Sequence, residues 1–499
     1  MDTRDNIAQG AHPGARRGIE YKWITLSVTT IGSLMAAIDS TIVTLALPDM
    51  MVKLHADLIE MTWVIMAYIL ISTVFLLTFG RVADMFGRVR MYNLGFVVFT
   101  VGSALCGISQ SALQLILFRL VQGSGAALMM VNSPAIITEV FPANERGRAL
   151  GINGITWALG GIAGPLLGGV ILSAASWRWI FYINVPIGII GTLWGYRALH
   201  EMSIPKQGER FDLLGAMTFS LGLVALLFAL TLGIQFSWTS LPILTLFALF
   251  VVMFIFFFIW ERRAASPVLD LSLFQNRVYN FSVLSAMLQS LAMFAVDFLI
   301  IYYLQAVRGY SPLTAALLLI PLPLVSAVVG PLSGLLADHI GARIPATAGV
   351  LLQATALTWF ITRLSSLTPY WEIAVGLVLM GLGGGLFWSP NTSAAMNGAP
   401  RQRLGIASAT LATLRQTGMV TSFAVALAVA AGSLPPSEVM NLFVGTNVTL
   451  GSNMMQAFIV GIHNAFLVSA VLCLVAAGFS LVRGKEERQG GMQLGVPAK

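Results

Sequence analysis

Four side chains whose chemistry depends on charge stand inside long apolar runs: Asp39, Arg119, Asp297 and Arg415. Within a membrane-spanning helix a carboxylate or guanidinium is costly unless it is paired, protonated or wet, so such a residue is read as functional by default. Asp39 occupies the otherwise uncharged run from Trp23 to Leu47, with Ser40 and Thr41 beside it as the partners a merely structural aspartate would use. At about 1.5 Å per helical residue it falls roughly 12 Å below the end of a helix that stops near Pro48. Arg119, on a helix that begins near residue 112 and runs the other way, falls roughly 10 Å below the same surface. An arginine level with a carboxylate favours its charged form and frees it for a proton on moving away. We therefore expect Asp39 to be a protonation site and Arg119 its switchable partner. Asp297, at similar depth, is either a second titrating carboxylate, a headgroup-level residue or a partner of Arg308. Arg415 lies nearer mid-depth, where it would neutralise a carboxylate, bind an anionic substrate or bond backbone carbonyls.

The elements that hold these residues follow from composition. Of 499 residues 57% are hydrophobic and 10% charged, with a mean hydropathy of +0.84; soluble domains carry about 25% charged residues. A water-soluble enzyme is excluded. The apolar runs are continuous over about twenty residues, the length of a spanning helix, rather than alternating as in a barrel. Spans are expected near 23–47, 61–80, 91–109, 112–139, 148–173, 178–199, 212–233, 241–260, 278–305, 312–337, 344–363, 371–395, 404–432 and 459–482. Fourteen helices place both termini on one side. With that side inside, 22 Lys and Arg fall on inner segments and 4 on outer loops, leaving Arg119 and Arg415 in spans. This asymmetry predicts a cell-membrane protein with cytoplasmic termini. The same distribution accounts for the net charge of +7 without a nucleic-acid partner.

The chain also repeats itself. Gly80-Arg-Val-Ala-Asp84-Met-Phe-Gly87-Arg88-Val-Arg90 returns as Gly334-Leu-Leu-Ala-Asp338-His-Ile-Gly341-Ala-Arg343, an offset of 254 residues. Gly123-Ser-Gly125, Pro142 to Arg146 and Gly151 return as Gly383-Gly-Gly385, Pro400 to Arg403 and Gly405, offset by about 258. Two parallel six-helix halves with an inserted pair are expected, the pattern of transporters whose site lies between repeats. The division is a segment 1–22, a first bundle 23–200, an inserted pair with linkers 201–277, a second bundle 278–482 and a tail 483–499. Gly160, Gly161, Gly164, Gly168 and Gly169 give helix five small residues at four-residue spacing, which lets helices approach closely, and Pro165 favours a kink.

Several of these stretches resemble the major facilitator superfamily, and within it the fourteen-helix drug/proton antiporter family. The resemblance rests on Ile38 to Pro48 in the first helix, Gly80 to Arg90 in the loop, and Leu117-Phe-Arg119-Leu-Val-Gln122-Gly123 in the fourth helix. It rests further on Gly160 to Gly169 in the fifth and Trp177-Arg-Trp179-Ile-Phe181-Tyr-Ile-Asn184-Val-Pro186 entering the sixth. It implies an all-α membrane fold and alternating access. It also implies a switch on Gly80, Asp84, Gly87 and Arg88, echoed by Asp338 and Gly341, with Gly164, Pro165 and Gly168 as gate mechanics. Proton coupling falls to Asp39, Arg119 and Asp297.

Cavity candidates are Tyr68, Trp157, Gln289, Tyr302, Gln305, Trp388, Asn391 and Arg415. Cationic-drug exporters of this family commonly carry an acidic residue after the Trp of the second helix; Trp63-Val-Ile-Met66-Ala-Tyr68 has none, which argues against dications. The five histidines have no metal-ligand spacing, no nucleotide motif or catalytic set appears, and no cofactor is expected. Asn447-Val-Thr449 fits a glycosylation acceptor. The expected activity is proton-coupled export of amphipathic or hydrophobic compounds by a monomer in the bilayer. The alternatives are a dedicated transporter of one metabolite, amino acid, siderophore or lipid, and a receptor that keeps the fold without turnover.

Overall fold

The computed structural model describes residues 20–56, 58–202, 212–264, 267–310, 312–431 and 452–484. Asn447 and Thr449 lie outside the described residues. The chain forms helices because each apolar run must satisfy its backbone polar groups within itself. The first group is α1 (Tyr21–Lys53), α2 (Leu58–Phe86), α3 (Arg88–Ile108), α4 (Ala112–Val140), α5 (Arg146–Ala174), α6 (Trp179–Tyr182) and α7 (Asn184–Ala198). Then follow α8 (Leu213–Phe236) and α9 (Leu241–Glu261). The second group is α10 (Arg277–Tyr302), α11 (Pro312–Leu318), α12 (Pro321–Ile340), α13 (Arg343–Arg363), α14 (Tyr370–Asn397), α15 (Leu404–Ala431) and α16 (Ser452–Val482). Ser111, Asp212 and Asn276 cap α4, α8 and α10 by accepting from backbone N–H groups three residues on, as short polar side chains do at helix starts.

Thirteen spans among the described residues are long and apolar enough to cross a membrane; the expected span 404–432 coincides with the 28-residue α15. Three boundaries differ from expectation. Helix α1 continues through Pro48 to Lys53, because a proline removes only one internal bond and packed neighbours keep the helix going. Asp39 thus stands fourteen residues, about 21 Å, from the end of its helix. The span 178–199 is broken at Ile183 between α6 and α7, and the span 312–337 is divided into α11 and α12, each opening on a proline, the residue suited to a first turn.

In the first group α1 packs on α5, α4 and α7, and α3 on α4 and α7; in the second α10 packs on α15, α16 and α14, and α13 on α14 and α16. The groups meet along two seams, α5 with α12 and α2 with α15. Helix α8 lies over the second seam: Leu223 and Leu227 share one apolar cluster with Val74 and Leu77 of α2 and Ala409 and Ala412 of α15. Equivalent close approaches fix the register between groups. A Cβ on Gly123 would sit 2.8 Å from the Tyr68 carbonyl, and one on Gly381 would sit 2.5 Å from that of Leu322. Likewise Gly95 abuts the Gly125 carbonyl and Gly349 that of Gly383. The offset is therefore 254 residues from α2 and α3 to α12 and α13, and 258 from α4 and α5 to α14 and α15.

Candidate functional site: a sealed ion pair and two helix-end latches

Helices α1 and α4 bring Asp39 and Arg119 into direct contact. The Arg119 Nη1 donates to Asp39 Oδ2 at 2.6 Å, and the two side chains are 0% and 1% exposed. The second carboxylate oxygen, Oδ1, accepts from Gln122 Nε2 at 2.8 Å and from Asn184 Nδ2 at 2.9 Å. Gln122 is itself tied to Arg119 Nη1 (2.6 Å) and to Ser103 Oγ (2.7 Å), while Arg119 Nε donates to the Val64 carbonyl. The guanidinium carbon lies 4.2 Å from the centre of the Tyr68 ring. Charge-assisted bonds of this kind are the strong ones, and a buried pair left without them would be a net cost. The cluster therefore gives both oxygens of the buried Asp39 carboxylate hydrogen-bond partners within the first helix group.

Asn184 and Gln122 are partners whose role sequence reading did not assign, although both stand in the quoted motifs. Asn184 reaches Asp39 because α7 begins at that residue, after the break at Ile183. Glycines set the other wall. A Cβ on Gly164 would lie 1.9 Å from Thr41 Oγ1, and one on Gly160 would lie 2.4 Å from that of Ala37. Helix α5 is thus pressed against α1 on both sides of Asp39. Gly168 is also buried; Gly161 faces open space, and the Pro165 side chain lies outside the described residues.

The loop motif and its repeat form two reciprocal latches at one end of the bundle. Asp84, closing α2, accepts from the Gly405 and Ile406 N–H groups that open α15, both at 3.0 Å. Asp338, closing α12, accepts from the Gly147 and Arg148 N–H groups that open α5, at 3.0 and 3.1 Å. Unpaired N–H groups and the helix dipole make such ends favourable for a carboxylate. The acceptors' neighbours must be glycine: a Cβ on Gly405 or Gly147 would lie 2.3 or 2.6 Å from the carboxylate it serves. Gly80 and Gly334 let the same helix pairs touch, with a Cβ there meeting Ala409 or the Gly147 carbonyl at 2.2 Å. Arg88 adds two bonds to Asp84 and one to Glu139. Gly87 adopts φ +104 and Gly341 φ +87, the left-handed region that favours glycine. Behind Gly87, Glu201 accepts the Arg88, Val89 and Arg90 N–H groups. Neither Glu139 nor Glu201 stands out in the sequence, since both lie at span ends where charge is ordinary.

The remaining candidates separate. Asn391 is fully buried, donating to the Ser282 carbonyl and accepting from Arg483 Nη1. Tyr68, 6% exposed, lies under Arg119 and belongs to the ion-pair cluster. Gln289 is buried, and its Nε2 donates to Gln353 Oε1 across to α13. Asp297 is exposed, and Arg308 donates to the Ser366 carbonyl instead of pairing with it. Gln305 is half-buried at a π turn, Tyr303–Val307, and the Tyr302 side chain lies outside the described residues. Trp157 is exposed, and Arg415 lies over Trp388 with 5.5 Å to the ring centre.

A fold of this kind, two repeated helix groups latched at one end with a polar pair inside one of them, is that of a secondary transporter. Comparison with known proteins gives the family: the description Major Facilitator Superfamily matches residues 29–212 and again 203–423, and the chain belongs to that superfamily. It is a multi-pass membrane transporter of small molecules. It is 32% identical over 458 residues to the riboflavin transporter RibZ of Clostridioides difficile, covering 92% of this chain and 96% of that protein. It is 35% identical over 406 residues to the multidrug resistance protein Stp of Mycobacterium tuberculosis, covering 81% and 74%. Among solved structures, the human organic anion transporter MFSD10 superposes with a TM-score of 0.64 at 15% identity, covering 92% of this chain and 99% of that one, a likeness of fold.

Proposed function

We propose that this protein is a proton-coupled antiporter that exports amphipathic or hydrophobic compounds by alternating access between the halves 23–200 and 278–482. The observation that carries the reading is the buried Asp39–Arg119 pair, whose carboxylate is 0% exposed and held by one guanidinium and two amides. With the latched end taken as cytoplasmic, as the Lys and Arg distribution favours, the conformation is the one closed to the cytoplasm. Separation of α1 from α4 or α7 then exposes Asp39 to protonation, and return of the bonds expels the proton. Asp84 and Asp338 hold the closed state, and their release opens it. One charge crossing 100 mV is worth about 2.3 kcal/mol, enough to drive a substrate uphill.

Likeness to multidrug resistance proteins supports a broad substrate range. Likeness to a riboflavin transporter over nearly the whole chain supports the second reading, a dedicated transporter of one compound. Reconstitution in liposomes with an imposed pH gradient tests both. Gradient-driven movement of several unrelated compounds, lost in Asp39→Asn, is the expected result. Movement of one compound alone favours the second reading, and full coupling in Asp39→Asn would overturn the assignment of the proton site.

A further inference from the structure

Among the described residues, Arg415 is an intramembrane charge for which no ion-pair partner is found. It is half-buried on α15, its Nε is enclosed without a hydrogen-bond partner, and among the described residues no carboxylate pairs with it. Its direction follows from its register. Ser408 on the same helix donates to the Val131 carbonyl of α4, and Arg415 is seven residues, two turns, further along the same face. The guanidinium therefore points from the second half toward the first, above the level where the latches hold them together. Asp297 is too far along the bundle to neutralise it. Arg415 lies eleven residues into α15 and Asp297 twenty into α10, and both helices start at the latched end, which separates them by about 13 Å in depth.

What the arginine does have is an aromatic floor. Its guanidinium carbon stands 5.5 Å from the centre of the Trp388 ring, close enough for a cation–π contact that leaves the in-plane N–H groups free. On α5, Trp157 holds the place that corresponds to Arg415 in the repeat, and is 40% exposed. The flanking Gly154 and Gly161 meet no atom within 4 Å, so an indole borders open space at this level of the first half. An unneutralised guanidinium in a span is costly until a counter-ion arrives. A ligand with a carboxylate, sulfonate or phenolate on a flat ring would supply it: the anionic group to Arg415, the ring to the indoles.

We propose that Arg415 and Trp388 form a recognition site for aromatic anions in the space between the halves. This deepens the export reading above and rests on it for the use made of the site; the absence of any acid following Trp63 agrees with the charge preference. The test uses the full chain in nanodiscs with two probes of one shape and opposite charge, naphthalene-1-sulfonate and trimethyl(1-naphthyl)ammonium, measured by equilibrium binding without a pH gradient. The sulfonate is expected to bind more tightly than the ammonium. Arg415→Gln should weaken sulfonate binding about tenfold, as loss of a charged hydrogen bond does, and leave ammonium binding within about twofold. Arg415→Lys should recover part of the loss, and Trp388→Ala should weaken the sulfonate while leaving the unfolding temperature close to the parent's. Equal binding of the sulfonate by Arg415→Gln, or preference of the parent for the ammonium, overturns the proposal. Flux with a pH gradient separates the two readings. Sulfonate binding that depends on Arg415 without proton-driven flux defeats the antiport reading alone; proton-driven flux of the ammonium, with Arg415→Gln indifferent, defeats the anion site alone.

Discussion

At one level of the bundle the two halves are built from opposite materials. In the first, Arg119, Gln122 and Ser103 surround Asp39; at the corresponding places in the second stand Leu377, Met380 and Leu357, buried in one apolar cluster with Met293 and Phe360. The backbone approaches are the same on both sides, as the paired contacts at Gly123 and Gly381 show. Apolar side chains thus suffice to hold this fold together here, and well-packed hydrophobes commonly match or exceed a buried ion pair in stability. The polar cluster of the first half is therefore not a requirement of packing, which argues for a role in the working cycle. A second asymmetry runs with it. Asp84 is buried and bonded to Arg88, which also pairs with Glu139, whereas the repeat has Ala342 where the first half has Arg88, and Asp338 is half-buried.

Converting one half into the other breaks this comparison most directly. Arg119→Leu alone should destabilise the protein by about 3–5 kcal/mol, since it leaves a buried carboxylate uncompensated. The triple change Asp39→Met, Arg119→Leu and Gln122→Met, which copies the apolar core, should unfold at or above the parent temperature while losing all proton-coupled flux. A triple variant as unstable as the single one would show that the polar cluster is structural after all. Removing a latch charge comes next. Asp84→Asn should cost about 2–3 kcal/mol through its charged hydrogen bonds, and Asp338→Asn about 1 kcal/mol. Spin-label distances across the seam at the latched end read the outcome, and equal opening by both variants would erase the asymmetry.

Asn184→Leu should slow proton-driven flux about tenfold through loss of one charged bond to Asp39, worth ~1.5 kcal/mol, with unfolding temperature little changed. Unaltered flux would place the amide outside the cycle. The smallest effect belongs to Gly161. Gly161→Ala, with open space at its Cβ, should leave flux and stability as they are. Gly164→Ala, which drives a methyl into Thr41, should cost about 1–3 kcal/mol by overpacking. Differential scanning of the pair decides whether close approach or mere helix composition matters.

Much of this was legible in the chain. Repeated Gly-Ala-Asp patterns announced both latch carboxylates, and charge scarcity singled out Asp39 and Arg119 before any helix was placed. Other features were not. Glu139 and Glu201 lie at helix ends, where acidic residues are commonplace, and the bonds of Asn391 to Ser282 and Arg483 depend on which face of a helix meets a neighbour. Pro48 suggested a stop that packing overrode.

The division has a physical cause. Lipid imposes its demands on one segment at a time: some twenty apolar residues per crossing, no unsatisfied backbone, and a cost for every charge. Spans, repeats and out-of-place charges could therefore be read along the sequence alone. Hydrogen bonds to a buried carboxylate have no such local signature. Which amides reach Asp39, whether the repeat's core is polar or apolar, and where Arg415 points depend on helix rotation and approach, quantities that exist only once the helices have packed.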